Sequence, residues 1–192
     1  MFQPWIGSKY GKTRLLILGE SAYSWFEDNE WQHPPLDHAI GSVGWAINNF
    51  PASGRFFAMV SRALANEESP TKDRLEAVWA RVAFTNYISM TVGCGPRVRP
   101  TTEMWEEAKD SFLSDLTDQK KFPEYPRRVV VLGKTMWGKM PESHIYITDE
   151  VQGYRLAGDV VMCQAMDHPA GGLSWRKLAS VLYFTYEQEL KG

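Results

Sequence analysis

Arg14-Leu15-Leu16-Ile17-Leu18-Gly19-Glu20-Ser21 is the stretch on which the fold of this chain turns. Its aliphatic run has no polar face, so as a strand it needs cover on both sides. Gly19 closes the run, and a carboxylate stands in the tight turn that follows. The same grammar returns at Arg128-Val129-Val130-Val131-Leu132-Gly133, a β-branched run closed by glycine. Residues 81–87 turn extended and end at Thr85-Asn86-Tyr87. Residues 144–148, 154–157 and 160–164 are further extended candidates.

Helical periods fall between these runs. Residues 54–66 place Phe56, Phe57, Val60, Ala63 and Leu64 on one face. Residues 72–80 do the same with Leu75, Val78 and Trp79. Thr101 or Thr102 caps a helix reaching Thr117, with Glu103, Glu106 and Glu107 near its positive end and Met104, Ala108, Phe112 and Leu116 as its buried stripe. A short helix follows Gly133, to about residue 139. Ser174 caps a last helix that buries Leu178, Val181, Leu182 and Tyr186. Residues 24–53 show no sustained period and read as a long irregular segment, and residues 91–100 read as a Gly/Pro loop. Strands separated by helices predict one α/β domain over residues 1–192, with a mainly parallel sheet. Ligands of such sheets bind beyond the carboxyl ends of the strands. Glu20, Asn86, Gly133 and His168 each follow an extended run, so the pattern gathers them at one edge.

The bulk properties narrow the classes. A net charge of −2 and a pI near 6.1 indicate no global attraction to nucleic acid. The charge is uneven, however: Lys120, Lys121, Arg127, Arg128, Lys134 and Lys139 share their stretch with one acid, Glu124. This is a solvated flank or a local basic face. Two cysteines, Cys94 and Cys163, supply neither a disulfide framework nor a zinc pattern, so a reducing cytoplasm is expected. No leader pattern opens the chain and no apolar run reaches membrane-spanning length, so no membrane partner is expected. P-loop, GxGxxG, GxSxG and EF-hand patterns are missing, and His33, His38 and His144 form no ligand spacing, so neither cofactor nor metal is expected.

The residues able to do chemistry cluster at the predicted strand ends. His168-Pro169-Ala170-Gly171-Gly172 crowds an imidazole and backbone N–H groups into a turn before a helix, which suits a ligand that gains negative charge. Glu20 can position water or face a developing cation. Asp167 and Asp28 are the alternatives for that carboxylate. Asn86 offers a carboxamide able to pair two-pronged with a base edge. Tyr23, Trp25, Trp31, Trp45, Phe56 and Phe57 are aromatics able to stack on a planar ligand.

In their order along the chain, Gly19-Glu20-Ser21-Ala22-Tyr23, Thr85-Asn86-Tyr87 and His168-Pro169-Ala170 resemble the motifs of the uracil-DNA glycosylase superfamily. Arg99-Pro100, Glu103, Phe112-Leu113 and the strand ending at Gly133 resemble the stretch that joins the later motifs in its bacterial and archaeal branches. The resemblance implies a three-layer α/β/α fold with a central, mainly parallel four-stranded sheet. It implies a DNA repair hydrolase that flips a uracil or other modified base out of single- or double-stranded DNA and hydrolyses its N-glycosidic bond. Glu20 and His168 would be catalytic, with Asn86, Tyr23, Phe56 and Phe57 around the base. Tyr23 would shut out a 5-methyl group. Leu173 would wedge into the duplex, with Ser174, Arg176 and Lys177 at the phosphates. The chain departs from the family at Ser21, where one branch has its catalytic aspartate, at Ala22 for the motif proline, and at Ala170 for serine. Two cysteines are too few for the iron–sulfur cluster of one branch, so the resemblance is to a divergent, cluster-free, monomeric member. The alternative is a non-catalytic nucleic-acid or nucleotide-binding module that keeps the base pocket.

Overall fold

The run that opens at Leu15 is buried at every position, as strand β2 (Leu15–Gly19) at the centre of a sheet in the computed structural model, which describes residues 2–95 and 98–189, with side chains up to residue 183. It is preceded by a short strand, β1 (Trp5–Ile6), and flanked by β5 (Val82–Asn86) and β7 (Arg128–Leu132). β5, β2, β7 and β10 (Asp159–Met166) run parallel in that order. In register, Gly19 lies opposite Asn86 and Leu18 opposite Val131, so the strand ends are level.

The expected four-stranded sheet is corrected to a mixed, seven-stranded one. β1 adds antiparallel to β5, and β9 (Val151–Leu156) and β8 (Ile145–Thr148) add antiparallel beyond β10. The turns decide the direction. Ala157 and Gly158 both have positive φ (50° and 84°), the geometry of a two-residue hairpin connection, and such a connection joins only antiparallel strands.

Helices cover both faces, giving the three layers. On one side, Leu15, Ile17, Phe84, Val130 and Leu132 pack against α1 (His38–Asn48), α2 (Gly54–Ala65), α3 (Lys72–Trp79) and α6 (Trp175–Glu189). On the other, Leu16, Leu18, Ala83, Val129 and Val131 meet α4 (Thr102–Thr117) and Met136 of the one-turn α5 (Lys134–Trp137). Alternate residues of each central strand feed opposite cores, which is why these strands read as unbroken apolar runs. Thr101 settles the choice of cap for α4: its side chain accepts from the Met104 N–H at 3.3 Å. The α6 positions Leu178 and Leu182 are buried and Val181 is partly so, while the side chain of Tyr186 lies outside the described residues.

Residues 24–53 are not irregular. They hold a hairpin, β3 (Ala22–Glu27) and β4 (Glu30–Gln32), and then α1. The hairpin turns on Asp28 and Asn29, both with positive φ. Helix α1 buries Ala39, Val43, Ala46 and Ile47, a helical stripe made mostly of small residues. Gly41 and Gly44 interrupt it, lowering helix propensity and hiding the period, and packing against the sheet overrides that deficit. The loop expected over residues 91–100 contains β6 (Thr91–Cys94), which pairs parallel with β3 in a separate three-stranded sheet. Among the described residues, no helix is long and apolar enough to cross a membrane.

Candidate functional site

The carboxyl ends of β2, β5, β7 and β10 open into a cleft of about 550 Å³, within the range of small-molecule sites. Glu20, Tyr23, Phe56, Phe57, Asn86 and His168 all line it. Parallel strands ending level bring sequence-distant turns together, and here they bring together the residues at the ends of all four.

Glu20 leaves the sheet with its backbone still held. The Tyr87 N–H donates to Gly19 O at 2.8 Å and the Ile88 N–H to Glu20 O at 3.0 Å, extending the ladder past the strand ends. Its side chain is 10% exposed and lies 3.9 Å from Arg99 Nη1. Gly19 makes room for Asn86: a Cβ at position 19 would stand 2.6 Å from Asn86 Oδ1. The glycine that ends the apolar run is therefore needed for close approach of its neighbour's carboxamide.

His168 begins a 3-10 turn (Pro169–Gly171), and its Nδ1 accepts from the Ala170 N–H at 3.1 Å. With Nδ1 used as an acceptor, the neutral ring carries its proton on Nε2. Burial lowers the pKa of His168 below the ordinary 6.5; the Glu20 charge opposes this and the Arg99 charge adds to it. The imidazole is thus neutral near pH 7 and a donor through Nε2. Gly133, at φ 149°, follows β7 opposite this ring and occupies a conformation that side chains rarely adopt.

The floor is aromatic. Phe56 meets Phe57 edge-on, with centroids 5.2 Å apart, and lies 5.9 Å from both the Phe84 and His168 rings. Tyr23 stands at the wall, where its hydroxyl oxygen accepts from Ser21 Oγ at 3.0 Å. Trp25, Trp31 and Trp45 are exposed and are not cleft residues. Of the alternative carboxylates, Asp167 lies between Lys134 (3.6 Å) and Lys177 (3.4 Å), and Asp28 sits in the hairpin turn; neither lines the cleft.

The residues expected at a nucleic-acid backbone are arranged differently. Leu173 is 4% exposed and packed in the core beside Leu178 and Met166, so a wedge role is corrected to a core role. Gly172, at φ 101°, ends the 3-10 turn just before it in the left-handed region that favours glycine. Ser174 Oγ accepts from the Lys177 N–H at 3.1 Å and so caps α6. Arg176 faces Glu68 at 3.6 Å and Lys177 faces Asp167, outside the cleft. In the uneven basic stretch, Lys121, Arg127 and Lys134 each stand opposite an acid, at 2.6, 2.9 and 3.0 Å respectively.

Arg99, Lys134, Thr135 and His38 also line the cleft and were not singled out as site residues from the sequence. Lys134 and Thr135 come directly after Gly133, so the strand-end rule that found Glu20 applies to them too. Arg99 and His38 follow β6 and β4, strands of the small second sheet that carry no apolar run in the sequence, so that rule does not reach them. His38 is held with a lowered pKa, mainly by burial and against the opposing charge of Asp37. Among the described residues, no group of three or more His, Cys, Asp or Glu side chains is placed to hold a metal ion. Comparison with protein-family models and with curated proteins returns no match.

Proposed function

We propose that this protein is a DNA base glycosylase-like hydrolase, cleaving the N-glycosidic bond of a flipped uracil or other modified base. One observation carries the reading: Glu20, Asn86 and His168 line a single cleft floored by Phe56 and Phe57. Base release breaks the bond between C1′ and the base nitrogen, leaving positive charge on the sugar and negative charge on the base. A carboxylate at Glu20 faces the first charge and orients the water that adds to C1′. The water's proton passes to Glu20, and the bonding pair leaves with the base. The neutral His168, with Nδ1 occupied, donates from Nε2 to the base oxygen on which that charge collects. Asn86 pairs with the base edge, the phenylalanines stack beneath it, and Tyr23 limits the room at its 5-position.

The test is single-turnover release of uracil from a labelled oligonucleotide, single- and double-stranded. Glu20→Gln and His168→Ala are each expected to slow release by about a hundredfold or more, with unchanged melting temperatures. Wild-type rates in both variants would overturn the assigned roles. Tight binding of the same oligonucleotide with no release by the wild-type protein would favour a non-catalytic binding module instead.

A further inference from the structure

We propose that Arg99 is a phosphate anchor at the rim of the cleft, so that the ligand of this site is a phosphate-bearing nucleotide rather than a free nucleoside or base. The inference rests on the reading of the cleft as a nucleotide base site. Among the described residues, the cations lining the cleft are Arg99 and Lys134. Lys134 is already committed: its Nζ lies 3.0 Å from Glu150 and 3.6 Å from Asp167, so its charge is answered by two carboxylates. Arg99 is in a different position. Its side chain is 81% exposed, and its ion pair with Glu20 is a long 3.9 Å contact through one nitrogen. A guanidinium has five N–H donors in a planar fork, and that fork matches two oxygens of a phosphate.

The cleft holds a partner for each part of a nucleotide. Arg99 reaches in from the exposed rim, on residues 98–100, which belong to no helix or strand. The mostly buried Glu20, 3.9 Å from the Arg99 guanidinium, suits the sugar. Asn86 and His168, over the aromatic floor of the same cleft, suit the base. Phosphate, sugar and base thus have a cation, a carboxylate and a base-reading amide available in one cleft. The anchor also accounts for how an acidic chain holds an anionic ligand: the attraction is local and needs no basic surface. A phosphate at Arg99 competes with Glu20 for the guanidinium, so its arrival releases the carboxylate toward the sugar.

Isothermal titration of the full chain with deoxyuridine, with dUMP and with a short single-stranded uracil oligonucleotide tests this, in the wild type and in Arg99→Gln. The wild type is expected to bind dUMP about tenfold more tightly than deoxyuridine, the worth of one charge-assisted pair. Arg99→Gln should abolish that preference while leaving the melting temperature unchanged. Equal affinities in the wild type, a preference that survives in Arg99→Gln, or no binding of any of the three overturns the anchor. An Arg99-dependent gain for the oligonucleotide over dUMP assigns the phosphate to a strand, and equal affinities assign it to a mononucleotide; both support the anchor. Base release is scored separately. Arg99-dependent binding without release leaves the anchor standing and removes the hydrolase reading, whereas release without phosphate preference does the reverse.

Discussion

A single methyl group added at Gly19 tests the geometry of the cleft more sharply than removal of a functional side chain. The Cβ of Gly19→Ala would meet Asn86 Oδ1 at 2.6 Å, Phe84 Cε2 at 3.4 Å and Phe56 Cζ at 3.5 Å. Comfortable carbon contacts begin near 3.5 Å, so the phenyl rings can stay while the carboxamide must retreat by roughly 1 Å. Position 19 is a buried strand end with ordinary φ, so the cost is overpacking and not backbone strain. Overpacking of this kind costs about 1–3 kcal/mol, or roughly 2–4 °C of Tm per kcal/mol for a chain of this size. The functional loss should lie at the upper end of that range, since a displacement near 1 Å at a positioning group costs about a hundredfold, or about 2.7 kcal/mol. Single-turnover uracil release or nucleotide titration reads this loss, and thermal melting reads the first. Asn86→Ala and the double variant complete the cycle. If the methyl acts through Asn86, Gly19→Ala adds little once the carboxamide is gone. Additive losses, or an unaltered rate in Gly19→Ala, would refute the claim that Gly19 exists to admit the Asn86 side chain.

Leu173→Ala should behave as a core truncation, losing about 2–5 kcal/mol in urea unfolding; an unchanged midpoint would return Leu173 to the surface. Thr101→Ala removes the α4 cap and should cost about 1 kcal/mol, measured in the same way, and a null effect would count against that hydrogen bond. The pH dependence follows from His168 and His38, whose folded pKa values both lie below 6.5. Between the folded and unfolded values the unfolded chain binds more protons, so stability is fully present above about pH 6.5 and falls as pH drops through the lowered values. Urea midpoints from pH 7.5 to 5 check the slope, and an imidazole titration placing His168 above 6.5 by NMR would contradict the buried, neutral ring.

The central strands, the helices over residues 54–65, 72–79 and 102–117, and the grouping of Glu20, Asn86 and His168 were legible in the chain itself. Apolar runs, helical periods and glycine punctuation are local properties, and a parallel sheet converts strand ends into neighbours without further information. Other features depended on what each segment meets in space. Helix α1 is written in small residues and glycines, so only its packing against the sheet makes it a helix. β8 and β9 were visible as extended runs, but their antiparallel direction comes from tight turns that composition does not reveal. Leu173 follows two glycines in a segment that reads equally well as a surface turn, and it is buried in the core cluster. Arg99 came near the site by the path of a loop, and no period predicts where a loop goes. The sequence by itself determined the layers and the strand-end residues, because burial periodicity and turn chemistry act within a few residues. Which cation faces Glu20, and which side chain after His168 is free to touch a ligand, were decided only by the tertiary structure, because those contacts join segments whose approach is set by the packing of the whole chain.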